Sequence, residues 1–265
     1  MPWLELPHGD IYYLEEGSGP PLVFLHGNSS CAEAWWQQFE AFRARFRCIA
    51  YDSVNHGHSS NSPRDADEPD RADELEAVLA ALGVERPILA GNSMGANTLL
   101  RWAVRHPERA LALIPSGMGV PLEGEEYRPP FREPLGTEVL FIPTGDALTD
   151  RLRRERPLLY ERYLRIRSTA TRLEALRYPR RPSPKSIQER AALAQHVGTI
   201  RSPMSIIVGS LDRLLPNAER LHRLVPGSEF HVIEGAPHNV YYEAAEEYNA
   251  IVARFLDRVL AGATP

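Results

Sequence analysis

The 265-residue chain reads as an α/β protein with a mostly parallel central sheet and helices on both faces. Three observations predict this class. Short apolar runs of the kind that buried parallel strands show alternate with longer stretches of helical spacing. The alternation breaks between about residues 117 and 199 and then returns, as it would in one core interrupted by an insertion. Composition is that of an ordinary globular chain, 43% hydrophobic and 25% charged. That excludes a disordered chain, a coiled coil or a collagen-like fibre.

Asp10 to Glu16 (DIYYLEE) predicts a strand stopped by a Gly-Ser-Gly-Pro turn. Pro21 to Leu25 (PLVFL) is a short run typical of a buried strand. Ala32 to Phe46 carries Trp35, Trp36, Phe39, Phe42 and Phe46 at helical spacing, and Arg47 to Tyr51 (RCIAY) is again a strand. Asn61 to Asp70 is polar and predicts a surface loop. Helix Arg71 to Leu82, strand Pro87 to Ala90, helix Ala96 to Arg105 and strand Ala110 to Ile114 continue the alternation. Next comes a proline- and arginine-rich stretch with helical pieces such as Arg151 to Arg167 and a loop, Tyr178 to Pro184. Strand Met204 to Val208, helix Asn217 to Leu224, strand Glu229 to Ile233 and helix Ala244 to Leu260 complete the core. The division is therefore 1–117 and 200–265 for the core, with 118–199 inserted. There is no internal repeat.

The net charge of -5 gives no reason to expect nucleic acid as a partner. Lys185 is the one lysine among thirty basic residues, which reads as a compositional bias toward arginine. Cys31 and Cys48 are too few for a disulfide framework, and neither lies in a Cys/His cluster that would hold zinc. The N-terminus lacks the basic and apolar regions of a signal peptide. No segment approaches the roughly 20 apolar residues of a membrane span. A cytoplasmic protein without a membrane partner is expected.

The sharpest motif is Gly91-Asn92-Ser93-Met94-Gly95, a G-x-S-x-G between a strand and a helix. In such a turn the serine is held in a strained conformation that lifts its hydroxyl out of the sheet. The N–H of Met94, at the helix start, then faces incoming negative charge. A serine needs a base, and His238 in Glu234-Gly-Ala-Pro-His-Asn239 directly follows the last strand. Loops at the C-terminal sheet edge are where open α/β folds bind ligands. His106 and His222 have no comparable placement. Asp212, in Gly209-Ser-Leu-Asp-Arg-Leu-Leu-Pro216, also follows a strand and can orient the histidine; Asp146 and Glu234 are weaker candidates. The turn at His26-Gly27-Asn28 offers the N–H of Asn28 as a second oxyanion donor. Asp52 to Ser59 contains Asn55 and Gly57, which tolerate left-handed backbone, and reads as a structural turn. His56 and His58 have a metal pair's spacing but no third ligand. No metal or organic cofactor is expected.

These motifs together resemble the α/β-hydrolase superfamily with a cap. The matching segments are H-G-N at His26 to Asn28, D-x-x-N-x-G-x-S at Asp52 to Ser59, G-N-S-M-G at Gly91 to Gly95, G-x-x-D-x-x-x-P at Gly209 to Pro216, and the late G-A-P-H. Their Ser, Asp, His order is the superfamily's. The resemblance implies a mainly helical cap inserted after the sixth strand. With serine at position 93, the aspartate-nucleophile dehalogenases and epoxide hydrolases are excluded. The elbow and Ile114-Pro-Ser-Gly-Met-Gly119 are similar to the meta-cleavage-product hydrolases, which cut carbon–carbon bonds. Those enzymes usually carry tryptophan directly after the catalytic histidine, where this chain has Asn239.

The expectation is a carboxylesterase-like serine hydrolase of a small molecule, with Ser93, Asp212 and His238 catalytic and the N–H groups of Asn28 and Met94 as the oxyanion hole. A C–C hydrolase on the same triad is the alternative, and a ligand receptor on a hydrolase fold is a third reading. The insertion's arginines read as a solvated surface more readily than as an anion site. Trp36, Tyr160, Tyr163, Tyr241 and Tyr242 read as core or surface more readily than as pocket lining. The motifs leave the oligomeric state open.

Overall fold

A computed structural model describes residues 3–7, 9–63, 66–124, 147–170 and 181–262. Eight strands form one sheet in the order β1-β2-β4-β3-β5-β6-β7-β8. They are β1 Trp3–Leu6, β2 Gly9–Glu16, β3 Pro21–Leu25, β4 Arg47–Tyr51, β5 Ile88–Asn92, β6 Ala112–Ser116, β7 Ser205–Gly209 and β8 Glu229–Ile233. β2 pairs antiparallel with both β1 and β4, and every other pairing is parallel. The mostly parallel sheet is the expected one. β1 is an addition: its four residues alternate between exposed and half-buried, too short a pattern to read from sequence.

Strand alternation divides the core in two. Leu22 and Phe24 of β3 face one apolar cluster, and Val23 and Leu25 the other. The first cluster takes Phe39 and Phe42 of helix α1 (Trp36–Phe42). The second takes Leu75, Val78 and Leu79 of α2 (Arg71–Ala81) and Leu99, Leu100 and Trp102 of α3 (Met94–Arg105). Both faces of the central strands are thus buried, which is why those strands read as continuous apolar runs rather than alternating ones.

The single helix expected from Ala32 is instead a tight 3-10 turn, Ala32–Trp35, followed by α1. The N–H of Ala32 donates to Oδ1 of Asp52 at 2.7 Å. Trp35 stacks between Phe24 and Tyr241, at 5.1 and 4.1 Å between ring centroids. This tertiary anchoring overrides the helical periodicity of the segment.

A helical region follows β6, as the resemblance implies. It includes α4 (Asp150–Glu155), α5 (Pro157–Ala170) and α6 (Pro184–His196). Thr149 and Ser183 cap α4 and α6 by accepting from the N–H groups of Leu152 and Ser186. Leu152, Leu159, Tyr163 and Ile166 join the first core cluster, whereas Leu193 of α6 joins the second. The core then closes with α7 (Leu215–Leu224), a short α8 (Val240–Glu243) and α9 (Ala245–Gly262).

Candidate active site

β5 runs straight into α3 through Ser93, whose backbone has φ 54° and ψ -111°. Positive φ is costly for a residue with a Cβ and persists only where the surroundings hold it. Here the Ser93 N–H donates to the carbonyl of Ser116 at 2.9 Å, and the Ser93 carbonyl accepts from the N–H of Asn97 at 3.0 Å. The flanking glycines are required by space. A Cβ on Gly95 would lie 2.1 Å from the Leu25 carbonyl oxygen, and one on Gly91 would lie 2.6 Å from the Gly95 carbonyl carbon. The N–H of Met94 opens α3 and is one of the donors that a helix leaves without an internal partner.

Asp212 and His238 follow β7 and β8, and the structure brings them together. His238 Nδ1 lies 3.0 Å from Asp212 Oδ2. The Asp212 side chain is fully buried, while that of His238 is 15% exposed. The other carboxylate oxygen, Oδ1, accepts from the N–H of Leu214 at 2.9 Å. A carboxylate can only accept, so Nδ1 of His238 carries a proton, and in the neutral tautomer Nε2 is the acceptor. The two loops are laced together: the N–H of Leu211 donates to the Ala236 carbonyl at 3.0 Å, and that of Gly235 to Ser210 Oγ at 2.8 Å. Gly209 permits this approach, since a Cβ there would meet the Ala236 oxygen at 2.1 Å.

The other acids and histidines are placed elsewhere. Glu234 accepts from Ser210 Oγ at 3.1 Å, His106 packs on Trp102, and His222 Nδ1 lies 2.8 Å from Ser228 Oγ. Asp146 lies outside the described residues.

The turn after β3 lies against the elbow: a Cβ on Gly27 would be 3.5 Å from Ser93 Cβ. Asn28 is exposed, and Ser29 adopts φ 58°. His26 supports this turn from below. Its Nδ1 donates to the Gly27 carbonyl at 2.8 Å and its Nε2 accepts from the N–H of Ser53 at 3.0 Å, so the ring is neutral. Burial, with a smaller contribution from nearby His56, lowers its pKa to about 3.

In the neighbouring turn Asn55 and Gly57 both have positive φ, and Asp52 Oδ2 accepts from the N–H of His58 at 2.7 Å. His56 and His58 face different partners, Asn28 Oδ1 at 3.3 Å and Asp52 Oδ2 at 3.4 Å. Among the described residues no group of three or more His, Cys, Asp or Glu is arranged to hold a metal ion. No helix of the described residues is long and apolar enough to cross a membrane.

Of the aromatic residues, Tyr163, Tyr241 and Tyr242 are buried core. Trp36 lies under the guanidinium of Arg162, 3.7 Å from ring centroid to Cζ. Arg151, Arg153, Arg154 and Arg165 are exposed. Sequence reasoning missed Asn239 as a structural partner of the elbow. Its Oδ1 accepts from Asn92 Nδ2 at 2.9 Å.

The strained serine follows β5 and the Asp–His pair follows β7 and β8, which places all three at the C-terminal edge of one sheet. The α/β hydrolase fold family matches residues 20–245, and the chain belongs to it. It is 30% identical over 270 residues to a 2-hydroxy-6-oxononadienedioate/2-hydroxy-6-oxononatrienedioate hydrolase of Paraburkholderia phymatum, covering 93% of this chain and 90% of the relative. It is 28% identical over 269 residues to a 2-hydroxy-6-oxo-6-phenylhexa-2,4-dienoate hydrolase of Comamonas testosteroni, covering 93% and 91%. Among solved structures, a thermophilic esterase from Thermogutta terrifontis superposes with TM-score 0.77 at 20% identity, covering 95% of this chain and 94% of that one. That last likeness is one of fold.

Proposed function

We propose that the chain hydrolyses a carbon–carbon bond beside a carbonyl in a small molecule of the 2-hydroxy-6-oxo-dienoate class. In this reading Ser93 is the nucleophile, His238 the base and Asp212 its orienting acid, with the N–H groups of Met94 and Asn28 as oxyanion donors. The bond type is carried by one observation: full-length relatives named for this substrate class match at 30% and 28% identity. They move the balance from the ester reading that sequence motifs alone favour toward its C–C alternative.

With Nδ1 engaged by Asp212, His238 Nε2 takes the Ser93 hydroxyl proton as Oγ adds to the carbonyl. The oxyanion that develops meets the two N–H groups. On collapse the C–C bond breaks and its electron pair passes to a carbon conjugated with the 2-oxo group. The substrate must therefore be in its keto form first. The imidazolium of His238 returns its proton to that carbon. Water, deprotonated by His238, then releases the acid from Ser93.

A second reading, carboxylic ester hydrolysis, is supported by Asn239, which follows His238 where C–C hydrolases usually carry tryptophan. The competition is decided by kcat/KM for a 2-hydroxy-6-oxo-dienoate against an activated short-chain ester. The C–C reading expects the dienoate to lead by tenfold or more, equivalent to about 1.4 kcal/mol. A tenfold lead for the ester returns the assignment to esterase, and no turnover beyond one equivalent of either leaves a receptor.

A further inference from the structure

The residues flanking the proposed nucleophile and base are joined by a line of buried hydrogen bonds that ends in the cap. Ser116 Oγ donates to Asn92 Oδ1 at 3.2 Å, Asn92 Nδ2 donates to Asn239 Oδ1 at 2.9 Å, and Asn239 Nδ2 donates to the Tyr163 hydroxyl. Asn92 precedes Ser93, Asn239 follows His238, and Tyr163 belongs to α5. Asn92 and Tyr163 are each 1% exposed, and Asn239 is 6% exposed. Two more bonds fasten the segment after His238 to the start of the helical region. The N–H of Asn239 donates to the Ala147 carbonyl at 3.0 Å, and that of Thr149 to Glu243 Oε2 at 2.7 Å.

We propose that Tyr163 and Asn239 are positioning residues, through which the cap holds the His238 loop in register with the Ser93 elbow. The proposal rests on the Ser93–His238 assignment above. Asp212 restrains the imidazole at Nδ1 but does not set how far the loop's backbone stands from the elbow. The Asn92–Asn239 bond spans that gap, between the residue before the nucleophile and the residue after the base. Asn239 cannot serve Asn92 in the opposite amide orientation, because two NH₂ groups would then face each other. The Tyr163 hydroxyl accepts from the remaining amide nitrogen and so anchors the side chain whose oxygen serves Asn92. Tyr163 is too buried to touch substrate, so its effect reaches the reaction through Asn239. An apolar side chain at 239 would fill space without the cost of burying an amide; a polar line satisfied at each junction adds directional register.

The test uses a fluorophosphonate, whose Ser93 phosphonylation with loss of fluoride reads nucleophile–base alignment without a natural substrate. Ser93→Ala must first abolish labelling. If it does not, the Ser93–His238 assignment fails, and the proposal with it. With that control met, Tyr163→Phe is expected to lower the maximal inactivation rate about tenfold and leave the half-saturating probe concentration within twofold. Misplacement by about an ångström costs up to a hundredfold. Asn239→Ala is expected to lower it at least as much, and the double variant no further than Asn239→Ala alone. Asn239→Asp can accept from both Asn92 and the Tyr163 hydroxyl. It is expected to recover part of the rate only while Tyr163 is present. An unchanged rate in Tyr163→Phe, additive losses, or recovery by aspartate in the Tyr163→Phe background overturns the proposal. Should Asn239→Ala not fold, Tyr163→Phe in the native and Asn239→Asp backgrounds suffices.

Discussion

Nδ1 of His238 stands 3.0 Å from Oδ2 of Asp212, and this pair joins two loops 26 residues apart in sequence at the C-terminal edge of the sheet. The carboxylate is wholly buried and the imidazole partly exposed. The ring is thus held from inside at Nδ1.

Asp212→Asn is expected to preserve the fold and lower turnover on the order of 10⁴-fold, because an amide can donate to Nδ1 and so favours the wrong tautomer. Asp146→Asn is expected to cost little. Parallel assays of the two variants check this, and the reverse ranking would move the acid away from β7.

Ser93→Ala is expected to remove covalent labelling by a fluorophosphonate and several orders of magnitude of turnover. Only oxyanion-hole and binding effects would remain. Intact-mass spectrometry of probe-treated protein reads the first effect. Near-native hydrolysis by the variant would defeat the mechanism.

His26 makes stability depend on pH. Its folded pKa of about 3 lies below the ordinary histidine value of 6.5. Between those values the unfolded chain binds a proton that the native state refuses. Stability is therefore full above about pH 6.5 and falls as pH drops toward 3, by at most about 1.4 kcal/mol per pH unit. Urea unfolding of the native chain and His26→Gln between pH 4 and 7 should show a shallower slope in the variant. Parallel slopes would mean that another group titrates.

Arg101 is completely buried beneath α6 and is held by Asp70 and by Glu189, the latter at 2.6 Å. Arg105 reaches the same two carboxylates at 2.9 and 2.5 Å. Burial would raise the Asp70 carboxyl, but the two guanidinium groups hold it down at about 2. Removing one member leaves buried charge short of partners, at a cost of about 3–5 kcal/mol. Arg101→Met should lose stability of that order by urea unfolding. The fluorophosphonate labelling rate of the still-folded fraction should stay near native. A loss under about 1 kcal/mol would show that Arg105 alone satisfies the cluster.

The alternation of strands and helices was legible because burial on both sheet faces leaves apolar runs such as Pro21 to Leu25 and Arg47 to Tyr51. The loops bearing Ser93, Asp212 and His238 were legible because each follows a strand with a glycine at a fixed offset. The strand Trp3–Leu6 was not, since four half-exposed residues carry no usable period. Bond type was not legible either. Ester and C–C cleavage ask the same of a serine, a histidine and two N–H groups, and similarity to relatives tilted the choice.

The sequence by itself determined the α/β architecture, the break in its alternation after about residue 117, and the strand-following loops that carry Ser93, Asp212 and His238. These follow from local spacing, which a single chain displays directly. Only the tertiary structure decided that Asp212 meets His238, that His26 is neutral, and that Asn92 is tied through Asn239 to Tyr163, 71 positions along the chain from Asn92. Periodicity records which side of an element is buried. A hydrogen-bond partner is chosen by where packing sets two distant loops, and no local pattern encodes that distance.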